Sequence, residues 1–504
     1  MQGLLAFFHK LGGLKVASVC SGTDSPLLVL NTIAEVCRKR LGDVFEEAVT
    51  NKVVGDMTCD DLETVVDDVF PNMKVLYSDV RELSKKSALP NLADPQQTEI
   101  PVPNFNILVG GFVCKDVSNM NCHREDNRTT VRDKSKKTGG TFGGIIDLLK
   151  KHIEDPSMMN PEVVFLENVK GLDAPPKKKE ADGSTTSLPY YESNLSYCMD
   201  KMWDAGYFMT PLLLDPRCFA GPQSRQRYWL PAVRRALMED TGLDQAELYS
   251  WIGQLTTRMA CHGETPLDGY LLDSADADLR EYLKNVMGQE VPWKKPDPVS
   301  SKKTDETSAK AKAAPKWVAA HAGAATKNAA MLTQTRISKD TLEDIAKNYP
   351  GVRSLAKRQF DMLVLAGMSP PCKQRRFLDL SQNLARTRQS AAAESKYIPC
   401  VTPRMEMWIT DLARCVHGIE SMGFQGIHFG KAHHVAKNYS SSFLLDLSGN
   451  AFHTGCMAAC TMATFTAVGV ALLRKKGMTF SAGISPSLAE PLENESDVEL
   501  DDIW

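Results

Sequence analysis

The chain of 504 residues has no CxxC pair among its thirteen cysteines, no internal repeat, no apolar run long enough to cross a bilayer and only a small net charge of -3. Each absence closes off a class. An odd number of scattered cysteines behind an N-terminus "MQGLLAFFHKLGG", which lacks a basic start and a cleavage site, is not a disulfide framework and points to a reducing compartment. The most apolar stretch, "AACTMATFTAVGVALL", is short and rich in Ala and Thr, so it reads as a packed helix of a soluble protein. "ACHGETP", "KAHHVAK" and "CMAAC" contain metal-ligand residue types without a paired zinc spacing, and no metal is expected. No chromatin-reading, zinc-finger or helicase module is legible either. The charge is unevenly spread. Trp293 to Trp317 carries seven lysines against three acids, interleaved with Pro, Ser and Ala, and reads as a basic flexible linker, while "AEPLENESDVELDDIW" reads as an acidic disordered tail. The length predicts two domains.

What is present before residue 235 is an alternation of short apolar runs with helical patterns: "KVASVC", "KVVGDM", "KVLYSDV", "FNILVGG", "EVVFLEN", "YFMTPLLLD" and "RYWLPAV". That order predicts an α/β fold with a mostly parallel sheet covered by helices. Between the first two runs, Ser25 and Pro26 match an N-cap and a first helical position, and the helix closes on basic residues and Gly42. A turn opening onto a helix N-terminus directs backbone N–H groups at an anionic ligand, although the full GxGxxG pattern is missing. Asp56 closes the second run and Asp79 the third. Acids there accept the hydroxyls of a ribose and the amino group of an adenine, or else simply terminate strands. Cys114, in "GGFVCKDVSNMN", stands where the fourth run ends. Its position suits a nucleophile at the ligand-binding edge of a sheet, and its residue type suits a small buried apolar side chain equally well.

Further motifs follow in order: "TGGTFGGIIDLLKKHI", "PEVVFLENVKGL" and "LLLDPRCFAGPQSRQRYWL". Together with "GGFVCKDVS" they resemble the motifs of the cytosine-5 DNA methyltransferase family: its proline-cysteine loop, its glutamate motif at Glu167 to Val169 and its QxRxR motif at Gln223 to Arg227. "VASVCSGTDSP" resembles the family's cofactor loop in a variant from single-celled eukaryotes, and "YIPCVTPRMEMWI", "ESMGFQGI" and "LSGNAFHTGCMAACTMATF" resemble its closing segments. The resemblance covers about 15–235 and 377–475. It implies a Rossmann-like S-adenosylmethionine-dependent methyltransferase fold with a smaller target-recognition domain. It also implies transfer of a methyl group from S-adenosylmethionine to carbon 5 of cytosine in DNA, on a base flipped out of the duplex. Cys114 would add to carbon 6, Glu167 would hold N3 and the exocyclic amine, and Arg227 and Arg225 would bind the base oxygen. The cofactor would lie against Cys20, Ser21, Gly22, Thr23, Asp24, Ser25, Asp56, Met57, Asp79, Val80, Gly111, Asn450 and Ala451. The resemblance implies DNA as partner and, through that substrate, a nuclear location; no membrane contact is expected from the apolar runs, and a monomer is expected although the oligomeric state is not legible in the sequence.

The expected division is a first catalytic part over 15–235, a target-recognition region over 236–395, a closing catalytic part over 396–475 and the acidic tail over 476–504. "PPKKKEADG" reads as a solvated loop. Two other functions stay open: an RNA methyltransferase of the tRNA branch, and a catalytically silent descendant that binds DNA or a partner. The second draws on departures from the family pattern, with Val113 where proline is usual, Asp56 where glutamate is usual and Phe452 after Gly449-Asn450-Ala451. Valine leaves the Cys114 loop more freedom than proline would. Val113→Pro is therefore expected to keep or raise turnover, provided the Val113 amide makes no hydrogen bond.

Overall fold

A computed structural model describes residues 2–11, 14–19, 25–41, 52–56, 73–77, 80–88, 99–118, 131–155, 160–174, 177–179, 185–187, 193–261, 267–273, 376–381, 397–427 and 439–477, apart from 86, 115 and 404, with a few single positions between 276 and 363. The expected basic stretch 293–317 and nearly all of the acidic tail lie outside the described residues.

The chain opens with α1 (Gln2–Leu11), β1 (Lys15–Val19), α2 (Ser25–Leu41), β2 (Lys52–Asp56) and β3 (Met73–Tyr77). A 3-10 turn, Val80–Ser84, and a small antiparallel pair, β4 (Ser87–Ala88) with β5 (Ile100–Pro101), lead to β6 (Ile107–Gly110), α3 (Lys137–Glu154) and β7 (Val163–Val169). Beyond a second hairpin, β8 (Lys177–Lys179) with β9 (Thr185–Ser187), come α4 (Asn194–Asp204), β10 (Tyr207–Met209), β11 (Leu212–Leu214), β12 (Arg227–Arg234), α5 (Arg235–Thr241) and α6 (Gln245–Arg258). The chain returns with β13 (Phe377–Asp379), β14 (Met407–Ile409), β15 (Arg414–Cys415), α7 (Gly418–Phe424), α8 (Ser441–Asn450) and α9 (Thr454–Lys475).

The main sheet runs β10-β12-β7-β6-β1-β2-β3, with β11 also paired to β12. From β7 to β3 every pairing is parallel, and β12 joins β7 antiparallel. The strands alternate between two covered faces. Val16, Ile107, Val109, Val163, Phe165, Trp229 and Val233 enter one core with α1, α2, α5, α6 and α9, whereas Ala17, Val19, Leu108, Val164, Leu166, Leu230 and Ala232 enter the other with α3 and α4. Chain order reverses at β1, which has β2 on one side and β6 on the other. The carboxyl ends of β1 and β6 thus form the switch point where open α/β sheets bind ligands. This is the Rossmann-like methyltransferase arrangement that the sequence leads one to expect.

Several boundaries differ from expectation. The catalytic body begins before residue 15: Leu4, Phe7, Phe8 and Leu11 of α1 are buried, and Phe7 and Phe8 meet Phe465 of α9 at ring-centroid distances of 4.8 and 5.8 Å. Gly3 and Gly469 let the two helix backbones touch, since a Cβ on Gly469 would collide with the Gly3 carbonyl. The body also extends beyond residue 235, because Leu237, Met238, Leu243, Leu248 and Ile252 join the same core as α9. "YFMTPLLLD" splits into two strands at Thr210-Pro211, with the Thr210 N–H turned onto the Pro231 carbonyl at 2.8 Å. The lysines of "PPKKKEADG" form a hairpin strand, not an irregular loop. The apolar run near the C-terminus is the largely buried helix α9, a packed helix as expected, but, contrary to the sequence reading, the helical stretch Ser441–Lys475 that contains it is long and apolar enough by composition to cross a bilayer.

A smaller sheet, β13-β14-β15, covers its own apolar cluster of Phe377, Ile398, Val401, Met405, Met407, Ile409, Val416 and Phe424. Its hinge to α7 is a buried ion pair, Arg414 to Glu420 at 2.6 Å, and the same carboxylate accepts the amides of His417 and Leu272.

His453 starts α9, its Nδ1 accepting the Cys456 N–H at 3.3 Å, while Nε2 lies so close over Gly221 that a Cβ there would come within 2.5 Å. Burial, helped by the charge of Arg225, lowers its pKa from 6.5 to about 3. Between those values the unfolded chain takes up a proton that the folded chain refuses. The contribution to stability is therefore complete above about pH 6.5 and declines as the pH falls toward 3. His453→Asn keeps a capping side chain without the titration. The urea midpoint of the variant is expected to fall less than that of the wild type between pH 7.5 and pH 5, and equal slopes would assign the acid sensitivity to other groups.

Candidate active site

The site follows from a difference in strand length. β6 stops at Gly110, opposite Leu166, but β7 continues to Val169, so Glu167 and Asn168 run on beside the loop that leaves β6. Asn168 Nδ2 donates to the Phe112 carbonyl at 2.9 Å, and the Gly111 N–H donates to the Val19 carbonyl at 3.2 Å. Cys114 follows, half-buried, with its carbonyl accepting the amides of Val117 and Ser118. Asp116 then accepts the Thr138 N–H at 3.1 Å, capping α3 from the loop because Lys136, the residue before that helix, makes no side-chain cap. The loop is held a second time at Val113, whose N–H donates to Thr141 Oγ1 at 3.1 Å while that hydroxyl donates to α3 carbonyls.

Across the sheet, Gln223, Arg225 and Arg227 alternate along an extended segment, and all three reach the returning chain at Cys400–Val401, two of them extending to further parts of it. Gln223 Nε2 donates to the Phe424 carbonyl and to Gln425 Oε1, both at 2.8 Å, and its Oε1 accepts the Val401 N–H. Arg225 is buried and spends its guanidinium on the carbonyls of Val401, Gly449 and Ala451 at 2.5–3.2 Å. Arg227 Nε lies 3.1 Å from Glu167 Oε1, with Nη1 on the Gln226 carbonyl and Nη2 3.7 Å from Cys400 Sγ.

The structure thus brings Cys114, Glu167 and Arg227 together, with Arg225 behind them as a clamp on the closing chain. Burial raises the pKa of the Cys114 thiol, the Glu167 charge raises it further, and Arg227 and Arg225 pull it down. Burial also raises the Glu167 pKa, against the two arginines. The result is a protonated thiol beside a carboxyl group that holds a proton more readily than usual.

The expected cofactor residues divide. Cys20, Ser21, Gly22, Thr23, Asp24, Met57 and Asp79 lie outside the described residues. Asp56 is the last residue of β2, opposite Val19 at the end of β1, as expected of an acid at the second strand tip. Ser25 is the first residue of α2, and its Oγ accepts the Phe452 N–H at 3.0 Å. That bond brings the start of α2 beside the segment that follows Asn450 and Ala451, more than 400 residues away in sequence. The joined strand tips and the Asp56 position fit a nucleoside-bearing cofactor. Val80 is a core residue packed on Gly144 of α3, and the Asn450 side chain donates to the Asp446 carbonyl of its own helix.

Asn168, Asp116, Thr141 and Cys400 were not singled out from sequence. Asn168 follows Glu167 inside the glutamate motif and was legible there. The other three depend on contacts with segments distant in sequence.

The model of the family described as C-5 cytosine-specific DNA methylase matches residues 69–363. DNA (cytosine-5-)-methyltransferase DMT5 of Cryptococcus neoformans var. grubii is 26% identical over 478 residues, which is 91% of this chain. The chain spans 17% of that relative's length. Among solved structures, the S. pombe Dnmt2 methyltransferase aligns with a TM-score of 0.41 at 10% identity, over 92% of this chain and 99% of its own. Spodoptera frugiperda DNMT2 aligns with a TM-score of 0.40 at 12% identity, over 90% and 100%. With the family model matching more than half of its length, the chain belongs to the C-5 cytosine-specific DNA methylase family, whose methyl donor is S-adenosylmethionine.

Proposed function

We propose that the chain is the catalytic part of a DNA (cytosine-5-)-methyltransferase, acting in the nucleus on a cytosine flipped out of the duplex. The observation that carries this is the cluster of Cys114, Glu167 and Arg227 at one edge of the sheet, next to the strand tips suited to the cofactor.

The residue chemistry supports it. Arg227 and Glu167 lie paired in the pocket. A cytosine offers the arginine its carbon-2 oxygen and offers the glutamate N3 and the amino group, so each side chain exchanges its partner for the base. With its raised pKa, Glu167 can carry a proton to N3 as negative charge enters the ring. The negative charge this leaves on Glu167 is met by the protonated N3 and the amino group, and the two arginines favour the Cys114 thiolate, formed as the thiol loses its proton to solvent. The thiolate bonds to carbon 6, and the ring electrons move to carbon 5. S-adenosylmethionine, when bound, supplies the electrophilic methyl group. Loss of the carbon-5 proton to solvent then expels the thiolate, N3 returns its proton to Glu167, and the aromatic ring is restored.

The test is incubation with tritiated S-adenosylmethionine and either unmodified or hemimethylated DNA, with tRNA as control. Label on DNA supports the reading, and label on tRNA alone overturns it. Cys114→Ala is expected to abolish transfer with cofactor affinity unchanged, and to lose the covalent adduct that the wild type forms with DNA containing 5-fluorocytosine. Glu167→Gln, which cannot shuttle the proton, is expected to lower kcat by about 10²–10⁴-fold.

Val113 reverses a sequence expectation. Its amide is engaged on Thr141, so the condition under which proline would be harmless is not met. Val113→Pro removes that bond, at about 0.5–1.5 kcal/mol, and is expected to lower turnover severalfold. Thr141→Ala removes the same acceptor, so adding Val113→Pro in that background should cost little more. Equal proline penalties in both backgrounds would show that the bond plays no part.

A further inference from the structure

Cys400 belongs to none of the motif positions that carry the family's chemistry, yet its sulfur reaches the centre of the site. Residues 397–401 are drawn there by the Gln223 segment: the Ile398 N–H donates to the Pro222 carbonyl at 2.8 Å, the Ser224 N–H to the Ile398 carbonyl at 3.0 Å, and the Val401 N–H to Gln223 Oε1 at 3.2 Å. The half-buried Cys400 thiol makes two contacts. Its Sγ accepts from Arg227 Nη2 at 3.7 Å, and its S–H points at the Val401 carbonyl at 3.6 Å, the same oxygen that Arg225 holds.

We propose that Cys400 is a positioning residue of the base pocket, orienting the Arg227 guanidinium for the incoming base; this rests on the methyltransferase reading above. The guanidinium has anchors at Nε on Glu167, at Nη1 on the Gln226 carbonyl and at Nη2 on Cys400, and contacts at all its nitrogens define its plane. Two of these anchors are strong oxygen acceptors. The third is a thiol sulfur, a weak acceptor that steers an N–H without competing with a carbonyl oxygen for it. An arginine that must hand an N–H to the base is suited by such a partner, since a carboxylate in the same place would hold it. Cys400 also connects the two arginines, because the carbonyl that receives its S–H is clamped by Arg225. The placement of the base-binding cation is thereby linked to the closing chain.

The test compares Cys400→Ala and Cys400→Ser with the wild type. Turnover is normalised to active sites counted by adduct formation on 5-fluorocytosine DNA. Crystal structures of the wild type and the alanine variant locate the Arg227 guanidinium. Cys400→Ala is expected to lower kcat by about threefold to tenfold, as for the loss of one modest hydrogen bond. KM for DNA, cofactor affinity and Tm should stay at wild-type values, with Arg227 displaced from its wild-type orientation. Cys400→Ser, which restores an acceptor and a donor, should return kcat to within about twofold. Unchanged kcat in the alanine variant, an undisplaced Arg227, or failure of serine to rescue overturns the proposal. A wild type that methylates no DNA overturns the functional reading instead, and the orientation of Arg227 then still decides the role of Cys400.

Discussion

The buried guanidinium of Arg225 is the constraint on which the site depends. It holds carbonyls of Val401, Gly449 and Ala451, separated from it by 176 to 226 residues, and so ties the returning chain to the edge of the main sheet. A buried cation is costly unless its donors are engaged, and here backbone oxygens engage them. Ala451 leads directly to Phe452, whose amide fastens α2 through Ser25, and Val401 follows Cys400, which touches Arg227. Gly449 completes the closure: a Cβ there would collide with the backbone at Thr402 and Pro403, so the two returning segments can lie together only because none is present.

Around that clamp the charges are arranged to keep Cys114 in reserve. The thiol lies near one buried carboxyl group and two guanidinium groups, and its burial outweighs the pull of the arginines. A permanently ionised thiolate would be open to oxidation and alkylation at all times. On the proposed reading, a thiol whose pKa is held up by burial and by Glu167 ionises more readily once a base has taken up the hydrogen bonds of Glu167.

The sheet was legible because strands such as β1, β6 and β7 are buried on both faces, so that runs such as Val163 to Leu166 stand out as continuous apolar segments. The cluster of Cys114, Glu167 and Arg227, catalytic on the proposed reading, was legible through motif resemblance, since the three stand next to those runs. The place of α1 was not, because its apolar residues find their partners on α9, at the opposite end of the sequence. Arg225 illustrates the same limit. The QxRxR spacing marks it as functional, but its acceptors are backbone carbonyls, which carry no residue signature. The hydrogen bond at Val113 was hidden for a related reason, since only the packing of α3 beside the loop supplies the Thr141 hydroxyl.

The closed pair of Arg227 and Glu167 also bears on which base the pocket would accept on the proposed reading. Both side chains are largely withdrawn from water, so separating them without replacement would leave two buried charges unmatched. Cytosine replaces both partners, with an acceptor for the arginine and an amino donor for the glutamate. Thymine or uracil would serve the arginine equally well but would turn a carbonyl and a ring N–H toward Glu167, setting a ring N–H where the proton held by Glu167 is to be delivered. A site built to pair a substrate N–H rejects the analogue lacking it strongly, because its own polar group is stranded. Discrimination then resides in Glu167, while Arg227 contributes affinity common to the pyrimidines, and the weak sulfur contact at Cys400 is suited to the second of these roles alone.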